Sequence, residues 1–235
     1  FKKDKIMAQR PIYIPQFNSD FLVKTEMVEF KYHSGFAVVQ KQKSIGELHH
    51  SIQKTYGFDK ILEVSSKSKE DLGVALSAFN LMITDKGTKE RYSVECAFQS
   101  SKIFENGGAY TDLLKATSKQ AKKDERLRNS GKLIGFEFRS TKWQLNPLTA
   151  FYDWLYVNAL NQNIQYHNEL MRYQAFTDIE FNPKKSINCQ AYSIAMFVAL
   201  AKRNLLENIR NPDNFLKFYK EFQVSNTYDL NENLM

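Results

Sequence analysis

The chain has 235 residues, 43% of them apolar and 25% charged, with nine Gly and five Pro. That balance excludes a disordered, low-complexity or collagen-like chain, and no apolar run reaches the roughly 18–20 residues of a membrane span. Lys and Arg outnumber Asp and Glu by 33 to 26, a net charge of +7, which points toward a polyanionic partner, nucleic acid or nucleotide, without proving one.

A chain of this length builds one large core that needs no staples. The opening residues, Phe1 to Ile6, lack the roughly 7–15 apolar positions of a secretory signal. Residues 1–8 read as a leader or added segment, with Met7 as the native start, and 9–235 as a single domain. Cys96 and Cys189 are too few for a disulfide framework and form no CxxC pair, and the four histidines, His49 and His50 adjacent, give no HExxH. The expectation is therefore no metal site, no cofactor, no membrane segment and a reducing, cytoplasmic compartment.

In chain order, Ile12–Ile14 and Lys24–Tyr32 read as strands, the second placing Val28, Phe30 and Tyr32 on one face. Ser44–Lys54 reads as a helix with Ser44 as N-cap and Glu47 at the capping-box position. Ile61–Val64 is a short strand. Ser93–Phe104 is a second helix with Ser93 as N-cap, and Ser118 caps a third that ends near Arg128. Gly131–Phe138 is extended. Pro147–Leu160 is a helix with Pro in its first turn, and Asn163–Tyr173 another. Phe176–Phe181 is extended, Ile187–Leu206 is a long apolar helix, and Asn211–Phe222 is the last. The fold class is α+β, helix-rich with short strands.

At about 100° per residue, the Ser93–Phe104 helix places Val94, Ala97, Phe98, Ser101 and Phe104 on a core face. Glu95, Gln99 and Lys102 share a second arc about 60° wide beside that face. A carboxylate, an amide and an amine thus converge at a core boundary; spacing alone equally describes a solvated helix edge with a weak charge pair.

The run Tyr92-Ser93-Val94-Glu95-Cys96-Ala97-Phe98-Gln99-Ser100-Ser101-Lys102-Ile103-Phe104 resembles the signature helix of the NADAR family, roughly S-x-E-H-x-x-Q-x-x-K-F. Leu76-Ser77-Ala78-Phe79-Asn80 resembles that family's L-S-N-F segment, and Asp178 to Pro183 its I-x-E-x-S-P segment. Phe30 to Phe36, Gln40 to Ile45 and Phe176 to Asn188 resemble one branch, the antitoxins paired with DNA ADP-ribosyltransferase toxins. The likeness covers about residues 9–205.

The resemblance implies an ADP-ribosyl glycosidase that removes ADP-ribose from guanine in DNA or nucleotides. Lys102 would be the lysine that forms a Schiff base with the ribose anomeric carbon, and Glu95 its partner carboxylate. Such a lysine must be neutral to attack, so its pKa must fall well below about 10.4. Two departures stand out: Cys96 replaces the usual His and reads as a small buried thiol, and Lys185 replaces an Asp. Lys184 and Lys185 either contact phosphate or are solvated. Ser77 and Asn80 either hydrogen-bond ribose or phosphate or cap or turn the chain. Glu180 either orients ribose hydroxyls or pairs with a lysine. Gln99 either holds the substrate or caps the polar arc. Trp154 reads as core, and His49-His50 as a solvated helix edge. The cluster Lys115, Lys119, Lys122, Lys123, Arg126, Arg128 and Lys132 is either a solvated face or a phosphate-binding surface. Two further readings compete with the enzyme: a module that binds ADP-ribose or nucleic acid without turnover, and an antitoxin that covers its toxin directly.

Overall fold

A computed structural model describes residues 6–184 and 186–222. Its elements run β1 (Met7–Pro15), β2 (Val23–Lys31), α1 (Val38–Tyr56), β3 (Ile61–Glu63), α2 (Asp71–Ala75), β4 (Met82–Thr84), β5 (Arg91–Ser93), α3 (Val94–Ser100), β6 (Lys102–Phe104) and β7 (Gly107–Gly108). They continue with α4 (Ser118–Lys123), α5 (Arg126–Asn129), β8 (Leu133–Phe138), β9 (Thr141–Trp143), α6 (Ala150–Gln162), α7 (His167–Leu170), β10 (Ala175–Thr177), α8 (Gln190–Lys202) and α9 (Pro212–Glu221). The fold is α+β. The strands form a four-stranded sheet in the order β2-β1-β10-β3, the pair β4-β5, and a second four-stranded sheet β7-β6-β8-β9.

The first sheet organises the packing. Side chains alternate across a strand, so Ile12 and Tyr13, both fully buried, face opposite ways. Ile12 joins Val28, Phe30 and the α1 residues Ile45, Leu48 and Ile52 on one side. Tyr13 packs edge-on against Tyr192 of α8, 5.6 Å between ring centres, on the other. α8 is buried from Ala191 through Leu200, as befits a helix apolar all round, and it packs on α6. Buried Asp153 of α6 accepts from Ser193 Oγ and from Tyr219 Oη, each at 2.6 Å, tying α6 to α8 and α9. Among the described residues no helix is long and apolar enough to cross a membrane.

Several boundaries differ from the sequence reading. The first helix begins at Val38, so Ser44 is not its N-cap. Ser44 is instead buried inside α1, where its hydroxyl accepts from the His33 amide at 2.9 Å and donates to the His33 carbonyl at 3.3 Å. The third helix is capped by Thr117 in a capping box with Gln120, not by Ser118, and breaks at Asp124 before α5. Pro147 lies ahead of α6 rather than in its first turn. Asn163–Tyr173 is a 3-10 turn, Ile164–Tyr166, followed by the single turn of α7. The extended run after Ala175 ends at Thr177. The second helix stops at Ser100, and Lys102 to Phe104 is strand.

The doubly bonded Ser44 gives a direct test of how the segment before α1 is anchored. Replacing it with Ala removes only the hydroxyl and leaves the half-buried His33 N–H and C=O without their partner. Ser44→Ala is expected to cost about 1–3 kcal/mol in urea unfolding, whereas exposed Ser34→Ala should be neutral. Equal stabilities for the two variants would count against the anchor.

Candidate active site

α3 forms the floor of the site. Ser93 caps it as expected, its Oγ accepting from the Cys96 amide at 3.1 Å, and every residue from Val94 to Ser100 is buried. The helix ends because its hydroxyls turn back on it. Ser100 Oγ and Ser101 Oγ both donate to the Ala97 carbonyl, at 3.0 and 2.7 Å, a local bond that competes with helix continuation. The Glu137 amide of β8 then takes the Ser101 carbonyl at 2.7 Å. Lys102 therefore opens β6 opposite Phe136 of β8 rather than standing on the helix with Glu95 and Gln99.

Glu95 and Gln99 meet directly, and Lys102 lies close enough to feel the charge of Glu95 without pairing with it. Glu95 and Gln99 are buried at 6% and 7% exposure, and Gln99 Nε2 donates to Glu95 Oε1 at 2.9 Å. Gln99 Oε1 is buried without a hydrogen-bond partner among the described residues. Lys102 reaches back so that Nζ lies 4.9 Å from the centre of the Phe98 ring. Its pKa is lowered, first by burial and then by the charge of Lys122, while the Glu95 carboxylate pulls the other way. The ion pair of Glu95 is with Lys122 rather than Lys102: Lys122 Nζ lies 3.9 Å from Oε1 and 5.1 Å from the centre of the Phe79 ring. Phe98 is held in turn by Tyr152 edge-on at 5.0 Å, with Phe136 and Phe151 behind it.

Two loops close round α3. The Glu95 amide donates to the Ala78 carbonyl at 2.9 Å. The Ala78 amide donates to Gln190 Oε1 at 2.7 Å, and Gln190 Nε2 donates to the Val64 carbonyl at 2.6 Å and to Asp178 Oδ2 at 3.0 Å. Tyr156 Oη also donates to the Leu76 carbonyl. Behind these loops lie two buried carboxylates. Glu63 accepts from Ser65 Oγ, Thr177 Oγ1 and the Ile179 amide at 2.7, 2.7 and 2.9 Å, yet burial raises its pKa. Asp178 is pushed up to about 8 by burial and by Glu63, against the amides of Glu180 and Phe181 that hydrogen-bond Oδ1. Glu63, Asp178, Gln190 and Tyr152 were not singled out from sequence; a carboxylate inside the apolar strand Ile61–Val64 was the available signal for the first.

The remaining sequence candidates sit as follows. Ser77 Oγ and Asn80 Nδ2 both donate to the Val74 carbonyl at 2.9 Å, so both staple the turn that carries Ala78. Glu180 pairs with Lys41 of α1 at 3.2 Å. Lys184 is exposed, and Lys185 lies outside the described residues. Cys96 is a buried thiol donating to the Ala116 carbonyl. Trp154 packs on Trp143, 5.1 Å between ring centres. In the basic run, Arg126 is committed to Asp112 and Asp124, whereas Lys119, Lys123, Arg128 and Lys132 are exposed. His49 is not a solvated edge: Nε2 lies 3.0 Å from Thr177 Oγ1. Since the Thr177 proton goes to Glu63, His49 donates. Two open surface hollows, about 520 and 310 Å³, lie elsewhere, around Arg139 and Trp154 and around Trp143 and Pro212.

A family model of DarT1-associated NADAR antitoxins matches residues 8–229. The chain belongs to that family, and its role is that of an antitoxin associated with a DarT1 toxin. No curated protein matches the chain.

The His49 contact makes a pH-dependent contribution to stability. Burial, and secondarily Lys69, lowers its pKa from 6.5 to about 4. Between those values the unfolded chain binds a proton that the folded chain does not, so stability falls as pH drops from 6.5 toward 4, by up to about 3 kcal/mol. His49→Gln removes the titration. In urea unfolding, wild type should therefore lose stability relative to His49→Gln across that window, and a constant difference between them would refute the assignment.

Proposed function

We propose that this NADAR antitoxin is an ADP-ribosyl glycosidase that removes ADP-ribose from guanine in DNA or nucleotides, with Lys102 as nucleophile and Glu95 as its partner carboxylate. The observation that carries the reading is a half-buried lysine amine whose charge burial disfavours, near a buried carboxylate and a buried amide with a free acceptor. A solvated helix edge has none of these features. The chemistry uses each group. As the ribose C1–N bond breaks, positive charge grows on the sugar, and Glu95 stabilises it. The Lys102 amine adds to C1. Its two protons end on the departing guanine amino group and on the ribose ring oxygen, leaving C1 double-bonded to Nζ. Water then adds to C1, the C–Nζ bond breaks, and ADP-ribose leaves with the lysine regenerated as free amine. Gln99 Oε1, buried and without a partner among the described residues, would accept from a ribose hydroxyl once the substrate opens the site.

Substrate attachment draws on the basic surface. α4 carries Lys119, Lys122 and Lys123 at i, i+3 and i+4, hence on one face, with Lys122 already at Glu95. Lys184 and Lys185 follow the Asp178–Glu180 loop and extend the same reading to a second run of phosphate contacts. The modified guanine itself is the substrate, and no metal or redox cofactor enters the scheme.

Lys102→Arg is the decisive substitution, because guanidinium stays protonated and cannot form an imine. Lys102→Arg and Lys102→Ala are both expected to abolish ADP-ribose release from ADP-ribosylated guanine DNA while leaving the fold intact. Borohydride added during turnover should trap an adduct on Lys102 in wild type only, and Glu95→Gln should slow turnover strongly while retaining binding. Wild-type rates in Lys102→Arg with no trapped adduct would end the proposal. Neutralisation of the toxin by Lys102→Arg, with the two proteins co-purifying, would favour direct covering instead.

Phosphate contacts by the α4 lysines release counterions, so kcat/KM on a DNA substrate is expected to fall about tenfold or more between 50 and 200 mM salt. A flat response would instead mark a free nucleotide as the substrate.

A further inference from the structure

Glu95 is one carboxylate with two lysines about it, and the two are held differently. Lys122 Nζ is at 3.9 Å from Oε1, on a side chain 58% exposed, and is steadied by the Phe79 face. Lys102 is the more buried of the two and lies over Phe98. The surroundings contribute little other charge. From β8, Phe136 stands opposite Lys102 and Gly135 opposite Ile103, while Glu137 alternates to the other face of the strand. From α6, Tyr152 is a neutral phenol, its pKa pushed well up by burial. The field at the Lys102 amine is thus set chiefly by one anion from α3 and one cation from α4.

Two cations competing for one carboxylate cannot both be fully compensated. If Lys122 were absent, Glu95 would have Lys102 as its sole cationic neighbour and would stabilise it as an ammonium, which cannot attack carbon. On the reading of Lys102 as nucleophile, we infer that Lys122 is a positioning residue that occupies Glu95 and thereby weakens the hold of that carboxylate on the Lys102 ammonium. It has no contact with the reacting carbon; it acts through the carboxylate beside both lysines and through its own charge on Lys102. This is the logic of a lysine activated by a second cationic group in its neighbourhood, here arranged through an intervening carboxylate. The direction of the Lys102 shift, with Lys122 opposing protonation and Glu95 favouring it, agrees.

The test reads the protonation of Lys102 directly. Trace acetylation with acetic anhydride across pH 6–11, quantified on the peptide that carries Lys102, gives the midpoint at which its amine becomes reactive, whether or not the protein turns anything over. Lys122→Gln is expected to raise that midpoint by about half a pH unit or more, the scale of one charge removed at several ångströms in water-rich surroundings. Lys122→Arg, which keeps the charge, should leave it at the wild-type value. The acid limb of the kcat/KM profile for ADP-ribose release should move upward with the midpoint in Lys122→Gln, a displacement that loss of a mere phosphate contact or of stability would not produce. An unmoved midpoint in Lys122→Gln, or one that moves equally in Lys122→Arg, overturns the inference. A moved midpoint in a protein that releases no ADP-ribose upholds the coupling of the two lysines and brings down the glycosidase reading alone.

Discussion

One side-chain amide holds the surroundings of the site together. Gln190, at the N-terminus of α8, donates to the Val64 carbonyl and to Asp178 and accepts from the Ala78 amide. Those three partners belong to the segment after β3, the segment after β10 and the turn after α2, none of which has regular structure of its own there. A buried amide with both ends engaged is a rigid joint, whereas a half-engaged one leaves a desolvated polar group uncompensated. Through Ala78 the joint reaches the Glu95 amide, so the orientation of the carboxylate depends on a residue nearly a hundred positions later in the chain. Ser77 and Asn80, stapled to Val74, stiffen the same turn from its other side.

The carboxylates divide by environment. Glu63 and Asp178 lie deep and close to one another, and burial pushes both upward. Their hydrogen bonds come from backbone amides, hydroxyls and Gln190, groups that fix geometry. Glu95 differs in having an amide on one side and an ammonium on the other, with an aromatic wall at Phe98. Its charged neighbour Lys122 is exposed, whereas Glu63 and Asp178 have no cation in ion-pair range among the described residues. The polar interior behind the site is thus fully engaged in fixing loops, whereas the Glu95–Gln99 pair keeps one acceptor, Gln99 Oε1, without a hydrogen-bond partner among the described residues.

Much of this was legible in the sequence because it rests on local rules. The Ser93 cap, the apolar helix read at Ile187–Leu206 and found at Gln190–Lys202, the strand read at Lys24–Tyr32 and found at Val23–Lys31, and the shared arc of Glu95 and Gln99 all follow from spacing. What was not legible depends on partners distant in sequence. α3 ends where the Ser100 and Ser101 hydroxyls turn back on Ala97 and β8 takes the Ser101 carbonyl, so a helix reading through Phe104 was reasonable and wrong. Ser44 looked like a cap because nothing nearby shows that His33 folds back onto it. Pro11 and Pro15 broke up the strand signal of β1, which nonetheless pairs with β2 along its whole length and with β10 at Tyr13↔Phe176. His49 read as surface because its partner, Thr177, is far along the chain.

The end of α3 also changes how the site should be understood. On an uninterrupted helix, Lys102 would stand two turns from Glu95, about 10 Å along the axis, with a long side chain free in solvent. As the first residue of β6 its backbone is fixed by β8 on one side and by the Ser100–Ser101 turn on the other, and its amine is laid back on Phe98, four residues upstream. A merely electrostatic binding surface gains nothing from this, since a mobile, hydrated ammonium meets phosphate as well or better. A nucleophilic amine gains on both counts: a partly desolvated position disfavours its charge, and a fixed one limits the conformations lost on reaching a substrate carbon. The strand start at Lys102, invisible to helical periodicity, is thus the structural feature that most separates the enzymatic reading from the binding one.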